Sequence, residues 1–221
     1  MQVKSLIFLL FSFAPVATVF LSCNNKAPEA EKFCNDACLS DTVRFTGLHS
    51  EEPYLAVIPS NCVADTIEWS HKKLETKRKI HLSTFLGNMV YLNKSTIKGY
   101  VIDTSFAILV FNDCDTRRGY WLRLPFAKSG SMEKSISALN DIDPRYAVEE
   151  GLLCYKSSNT IYVEDIKTRK TEKIIIEEPK LEFETMYDII DSVNVTRSRF
   201  FIQMKNGSKI IPFEKKINLQ P

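Results

Sequence analysis

Short apolar runs rich in β-branched and aromatic residues recur along the chain after residue 40, each bounded by polar turn residues. The block 138–176 shows the pattern most clearly. Asn140–Val148 leads to a turn at Glu149-Glu150-Gly151, and the runs Leu152–Tyr155, Thr160–Val163 and Lys173–Ile176 follow. Ser157-Ser158-Asn159 separates the first two runs, and Lys167–Lys170 the last two. Runs of this composition between turn residues read as strands. Four strands joined by tight turns in about forty residues predict an antiparallel meander.

Comparable units flank this block. The first runs Asp41–Thr46, Pro53–Ile58, Asp65–Trp69 and Lys79–Leu82. The second runs Ser95–Val101, Phe106–Phe111 and Gly119–Leu124. The last runs Asp191–Thr196, Arg199–Met204 and Ser208–Phe213, with Asn206-Gly207 as a hairpin signal between its final two strands. Leu55, Ala107, Leu152 and Phe200 start corresponding strands at intervals of about 45 to 50 residues. Val57–Cys62 also aligns with Leu109–Cys114. Ser129–Leu139 reads as the main non-strand segment, a short helix or a loop between units. The spacing resembles that of β-propeller repeats, without a WD dipeptide or a kelch glycine pair. The expected fold is all-β, built of antiparallel meander repeats as a small propeller of about four blades, with a β-sandwich as the alternative.

The first residues follow another pattern. Met1–Lys4 carries one positive charge, Leu6–Phe20 is almost wholly apolar, and Leu21-Ser22 precedes Cys23. This describes a cleaved secretory signal. The run is shorter than the roughly 20 apolar residues of a membrane span and contains Pro15. Phe20-Leu21-Ser22-Cys23 resembles a bacterial lipoprotein box, although Phe and Leu stand where Leu and a small residue are more common. The resemblance implies a diacylglycerol thioether on Cys23 and acylation, such as palmitate, of its new amino group. Such multiple chains anchor firmly. Asn24–Ala30 is polar, contains Pro28 and suits a short tether. It lacks the strongly acidic run that surface-exported lipoproteins of Bacteroidetes often carry, so resemblance to that group implies the periplasmic face of the outer membrane rather than the cell surface. The expected organisation is a signal peptide at 1–22, lipid anchor and tether at 23–40, and the repeat domain at 41–221. As a whole the chain resembles uncharacterised lipoproteins of Bacteroidetes, which implies the cell envelope and no particular reaction.

A formal net charge of +2 provides no global field for nucleic acid. Beyond Cys23 the cysteines are Cys34, Cys38, Cys62, Cys114 and Cys154. Cys34 and Cys38 would share a face if Glu29–Cys38 were helical, but no CxxC or HxxxH pair follows to complete a metal site. An exported context favours disulfides. Cys154, inside an apolar run, reads as a buried thiol. The other four allow three connectivities; bridges from the N-terminal pair to Cys62 and Cys114 are favoured, with a local Cys34–Cys38 bridge as the rival.

His49, His71 and His81 occupy no catalytic spacing, and no GxSxG, SxxK or phosphate-binding glycine loop is present. The runs Asn112–Asp115 and Asn140–Asp143 place oxygens at alternate positions, as Ca²⁺ loops do, but also as ordinary turns do. Trp69, Tyr120 and Trp121 are candidates for a sugar-stacking platform, weighed against a core role. The resulting expectation is a non-enzymatic binding or scaffold module that needs no cofactor or metal. It is held at a membrane through Cys23, with another envelope protein or a glycan as partner. The alternatives are a glycan-directed hydrolase using Asp113 and Asp143, and an inhibitor or immunity-type lipoprotein.

Overall fold

The computed structural model of the 221-residue chain describes residues 33–158, 160–177, 182 and 185–220. Strands make up 51% of it and helices 7%, so the fold is all-β. The leader, Cys23 and most of the tether lie outside the described residues.

The first sheet is an antiparallel meander of β1 (Val43–Thr46), β2 (Tyr54–Ser60), β3 (Val63–Ser70) and β4 (Arg78–His81). Alternation along β2 and β3 buries Leu55, Val57, Ile67 and Trp69 on one face. On the other, Arg44 lies 3.6 Å over the Tyr54 ring and Tyr54 donates a 2.6 Å hydrogen bond to Glu68. Pro59 sits at a bulge in β2, where its missing N–H costs no ladder bond. The β2–β3 turn is Asn61-Cys62, both with positive φ (51° and 67°), the turn that matches strand twist. A cysteine is disfavoured there. It is held by its disulfide to Cys38 and by the Leu39 N–H donating to its carbonyl at 3.0 Å. Helix α1 (Leu82–Leu86) follows and ends at Gly87, whose φ of 86° makes the left-handed cap.

The second sheet begins with the antiparallel meander β5 (Ile97–Ile102), β6 (Phe106–Asn112), β7 (Gly119–Pro125) and β8 (Glu133–Leu139). The chain then leaves it for β9 (Tyr146–Val148). It returns as β10 (Leu152–Ser157), β11 (Thr160–Asp165) and β12 (Thr171–Ile175), giving seven strands in the order β12-β11-β10-β8-β7-β6-β5. After helix α2 (Met186–Ile189), the third sheet is β13 (Ile190–Val195), β14 (Arg199–Asn206) and β15 (Lys209–Lys216), ordered β15-β14-β13-β9.

Three expectations are corrected. Ser129–Leu139 is not a non-strand segment: its second half is β8. Glu133-Lys134-Ser135 carries no apolar pattern, and pairing with Arg123, Leu122 and Trp121 of β7 holds it extended. The block 138–176 is not one self-contained meander either. Its opening strand, β9, pairs in parallel with β13 through Tyr146 and Val193, a long-range pairing without a local turn signal. Finally, residues 33–40 are more than tether. Leu39 is 2% exposed and belongs to the core of the first sheet, and two disulfides start from this stretch.

Three apolar clusters hold the sheets. The first joins the inner face of the first sheet and α1 to one face of β5–β7. The second joins β10–β12 to the third sheet. The third lies on the opposite face of β6 and β7 and runs across Ala138 onto Leu153. Thus Leu109 and Phe111 serve one cluster while Ile108 and Val110 serve another. Burial on both faces explains why Phe106–Phe111 reads as a continuous apolar run rather than an alternating one. The first sheet approaches closely: a Cβ on Gly99 would lie 2.3 Å from the Phe45 ring. Trp69 completes the junction, its indole N–H donating to the Pro125 carbonyl at 2.9 Å.

Candidate functional site

Among the predicted site residues, the four cysteines form two bridges, Cys34–Cys114 and Cys38–Cys62. Both fasten the N-terminal stretch onto hairpin turns of the first and second sheets. Cys154 is a free, buried cysteine, and burial pushes its thiol well above the usual range. Trp69, Tyr120 and Trp121 form no exposed platform, being 1%, 2% and 3% exposed. Trp69 joins two sheets, Tyr120 stacks on Phe111 with centroids 5.0 Å apart, and Trp121 meets Tyr155 edge-on at 5.0 Å. Their apolar area makes them core residues.

The two acidic runs also have structural employment. Asp113 accepts from the Tyr91 N–H at 2.9 Å and from the Thr116 hydroxyl at 2.6 Å. Asp143 is 1% exposed and accepts from the Arg145 backbone N–H at 3.0 Å and from its guanidinium at 2.7 Å. The runs are tied together by Asn140, whose amide donates to Asn112 at 2.7 Å. No group of three or more His, Cys, Asp or Glu is placed to hold a metal among the described residues. His71 lies 3.0 Å from Glu51, which also pairs with Lys73, and packs edge-on against Phe126, while the exposed His81 lies 3.5 Å from Asp65.

One open feature among the described residues lies where β8 meets β10. These strands share only two register pairs, Cys154 with Leu139 and Tyr155 with Ala138. Beyond them β8 stays on β7 as far as Glu133, and β10 stays on β11 as far as Ser157. The second sheet therefore splits down the middle, and a cleft of about 440 Å³ opens between the diverging edges. Its walls carry Lys134, Ser135, Ser137, Tyr155, Lys156 and Ser157, with Ile136 36% exposed at the rim. At the apex the Ser137 hydroxyl donates to the Lys156 carbonyl, a side chain standing in for the missing ladder bond.

Several features hold the split in shape. On β8's other side the ladder to β7 slips between Gly119 and Trp121. The Tyr187 hydroxyl, from α2, fills the gap: it accepts from the Gly119 N–H and donates to the Ala138 carbonyl, both at 3.0 Å. Burial raises the pKa of this phenol, keeping it a donor. Behind the cleft, buried Arg123 is paired with Glu164 and Glu133, and Arg169 closes the network at 3.1 Å from Glu133. Tyr155 stacks on Tyr162 at 5.4 Å. Its hydroxyl pKa is pushed up to about 12, first by burial and then by the Glu164 charge.

A repeat in the sequence went unused by the strand pattern: Asp113-Cys114-Asp115-Thr116-Arg117-Arg118 and Asp165-Ile166-Lys167-Thr168-Arg169-Lys170. Both are turns, between β6 and β7 and between β11 and β12, with the same bonds. The fifth residue's N–H donates to the Asp carbonyl at 2.8 Å in each. The Thr hydroxyl donates to the Asp carboxylate (2.6 and 3.0 Å), and Arg117 and Arg169 take φ of 60° and 63°. The shared D-x-x-T-R pattern was the available signal that β5–β7 and β10–β12 are equivalent units.

No family model and no curated protein matches the chain. No helix among the described residues is long and apolar enough to cross a membrane.

Proposed function

We propose that this chain is a non-enzymatic binding or scaffold module, held at a bacterial envelope membrane through lipidated Cys23 and facing the periplasm. The observation that carries the binding half is the cleft between β8 and β10, an opening lined by serine, lysine, tyrosine and isoleucine side chains. It falls within the size range of ligand sites. The anchoring half rests on the leader and the Phe20–Cys23 box alone. The hydrolase alternative is disfavoured because Asp113 and Asp143, its acid and base, each spend their oxygens on neighbouring N–H and hydroxyl groups.

The same reading treats the meanders β1–β4, β5–β8, β10–β12 and β13–β15 as four blade-like units of a propeller-type repeat. Its support is the shared D-x-x-T-R turn and the succession of apolar clusters from one unit to the next.

Fractionation tests the anchor: the wild-type chain should sediment with membranes and Cys23→Ser should become soluble. An unchanged membrane-bound fraction contradicts it. Purified protein should show no turnover on a glycan panel. Turnover abolished by Asp113→Asn or Asp143→Asn would restore the hydrolase.

A further inference from the structure

We infer that the end of the molecule built from residues 33–36, the loop 88–94 and the β6–β7 turn is a bilayer-contact surface, with Met89 and Tyr91 seated among phospholipid headgroups. This rests on the anchoring half of the reading above and names the face that meets the membrane.

The first argument is where the tether is pinned. Phe33 stands ten residues after Cys23, a span of about 35 Å fully extended and about 17 Å as a flexible coil. Cys34 is then bonded to Cys114 in the β6–β7 turn. The Asn93 side-chain amide donates to the Asp36 carbonyl at 2.7 Å, and the Arg117 guanidinium lies 5.7 Å over the Phe33 ring. With Cys23 lipidated, this end is held within a short reach of the bilayer. The opposite ends of the strands lie farther away by a strand length, about 23 Å for the seven residues of β6.

The second argument is what this end exposes. Met89 is 59% exposed. Two residues on, the Tyr91 N–H donates to Asp113 at 2.9 Å and its carbonyl accepts from the Cys114 N–H at 2.7 Å, which places the loop beside the pinned turn. The half-buried Tyr91 carries its hydroxyl 3.8 Å from the Met89 sulfur. A flexible thioether beside an amphipathic phenol suits the headgroup boundary. Exposed charges at this end are of both signs, Lys94 against Asp36 and Asp115, so the contact is apolar rather than a response to anionic lipid. A tether raises the local concentration enough to populate a contact that is weak on its own.

Third, this orientation leaves the cleft open to the periplasm. Gly119 pairs with Asn112 and Ala138 beside the pinned turn, whereas Glu133 pairs with Arg123 farther along β7. The cleft opens past Ala138 in that direction, away from the pinned end. The fully exposed Leu48 serves as an internal control, since it lies beyond the Thr46–Tyr54 end of the first sheet, opposite the disulfide-bonded Cys62 turn.

The test uses the full-length lipidated chain reconstituted into phosphatidylcholine vesicles with brominated acyl chains. Met89→Trp and Leu48→Trp each add one surface indole, while buried Trp69 and Trp121 supply a constant background. Emission from Met89→Trp should move to shorter wavelength on reconstitution and lose most of its intensity to brominated lipid; Leu48→Trp should show neither change. In the wild-type chain, which carries no substitution, amide exchange should slow at 88–94 in vesicles and stay unchanged at 47–52. Stronger or equal quenching in Leu48→Trp, or quenching in Met89→Trp only when anionic lipid is added, overturns the inference. Slowing at 88–94 that appears equally in the unanchored Cys23→Ser chain marks a second copy as the occupant and overturns it too. Protein that floats with the vesicles without quenching in Met89→Trp sinks this inference and leaves the anchoring reading standing. Wild-type protein that does not float with them overturns both.

Discussion

The two D-x-x-T-R turns make the halves of the molecule directly comparable, because the same backbone device is fastened differently in each. In the β6–β7 turn the residue after Asp113 is Cys114, bonded to Cys34 across 80 residues of sequence. In the β11–β12 turn the same position is Ile166, 2% exposed in the third apolar cluster. The aspartates differ in their long-range partners: Asp113 takes the Tyr91 backbone N–H, whereas Asp165 lies 3.1 Å from the charged Arg197, which leads into β14. The N-terminal half is cross-linked, and the C-terminal half relies on side-chain packing and a polar clasp. A turn sequence thus specifies local geometry, while its neighbours decide how it is tied to the rest of the fold.

The largest expected effect comes from removing the cross-link. Replacing Cys34 and Cys114 together with serine should cost about 4 kcal/mol, since closure of so long a loop constrains the unfolded chain strongly. The shorter Cys38–Cys62 loop, 24 residues apart, should cost about 3 kcal/mol. Denaturant unfolding of the paired variants measures both. Equal or reversed costs would break the assignment of the longer bridge as the main fastener.

Next comes the clasp. Asp165→Ala removes the acceptor of two backbone N–H groups, the Thr168 hydroxyl and Arg197, and should cost about 2 kcal/mol. The loss is expected in the C-terminal half, visible as faster amide exchange in β11 and β12 with β6 and β7 unchanged. Uniform loosening of both halves would show that they are not fastened separately. Tyr187→Phe should cost about 1 to 2 kcal/mol, because it strands the Gly119 N–H and the Ala138 carbonyl.

A smaller effect is the acid response. The Asp165 carboxyl lies below the usual carboxylate range: burial opposes its charge, but hydrogen bonds from Thr168 and then Arg197 outweigh it. A lowered folded-state pKa means the contribution is complete above the unfolded value, about 3.9. It disappears as pH falls through the folded value. The stability difference between wild type and Asp165→Asn should therefore shrink on acidification from neutral pH; a constant difference would remove the charge from the account. The smallest effect is at Cys154, which should not react with iodoacetamide until the protein unfolds, because burial keeps the thiol protonated and inaccessible.

The sequence displays the strands that carry their own apolar signal, such as Phe106–Phe111 and Arg199–Met204, and the turns rich in Asn, Asp and Gly. The Asn206-Gly207 signal marks a hairpin whose turn falls one residue later, with Asn206 paired to Lys209. What stays hidden depends on partners far along the chain. β8 is polar and extended only because β7 holds it, and β9 pairs in parallel with a strand some 45 residues later. The cleft has no sequence motif because it arises where two strands stop pairing. Its lysines and serines look like ordinary turn residues. Trp69, Tyr120 and Trp121 are conspicuous in the sequence yet belong to the core, where large aromatic area is used up.

Hydrogen exchange of the free protein, resolved along β8 and β10, tests the divided second sheet most directly. Amides of Leu139 and Cys154, one of the two shared pairs, should be well protected along with those of β6 and β7. Those of Glu133–Ile136 that point away from β7 should exchange orders of magnitude faster. Continuous strong protection from Glu133 to Leu139 would mean an unbroken sheet and no cleft.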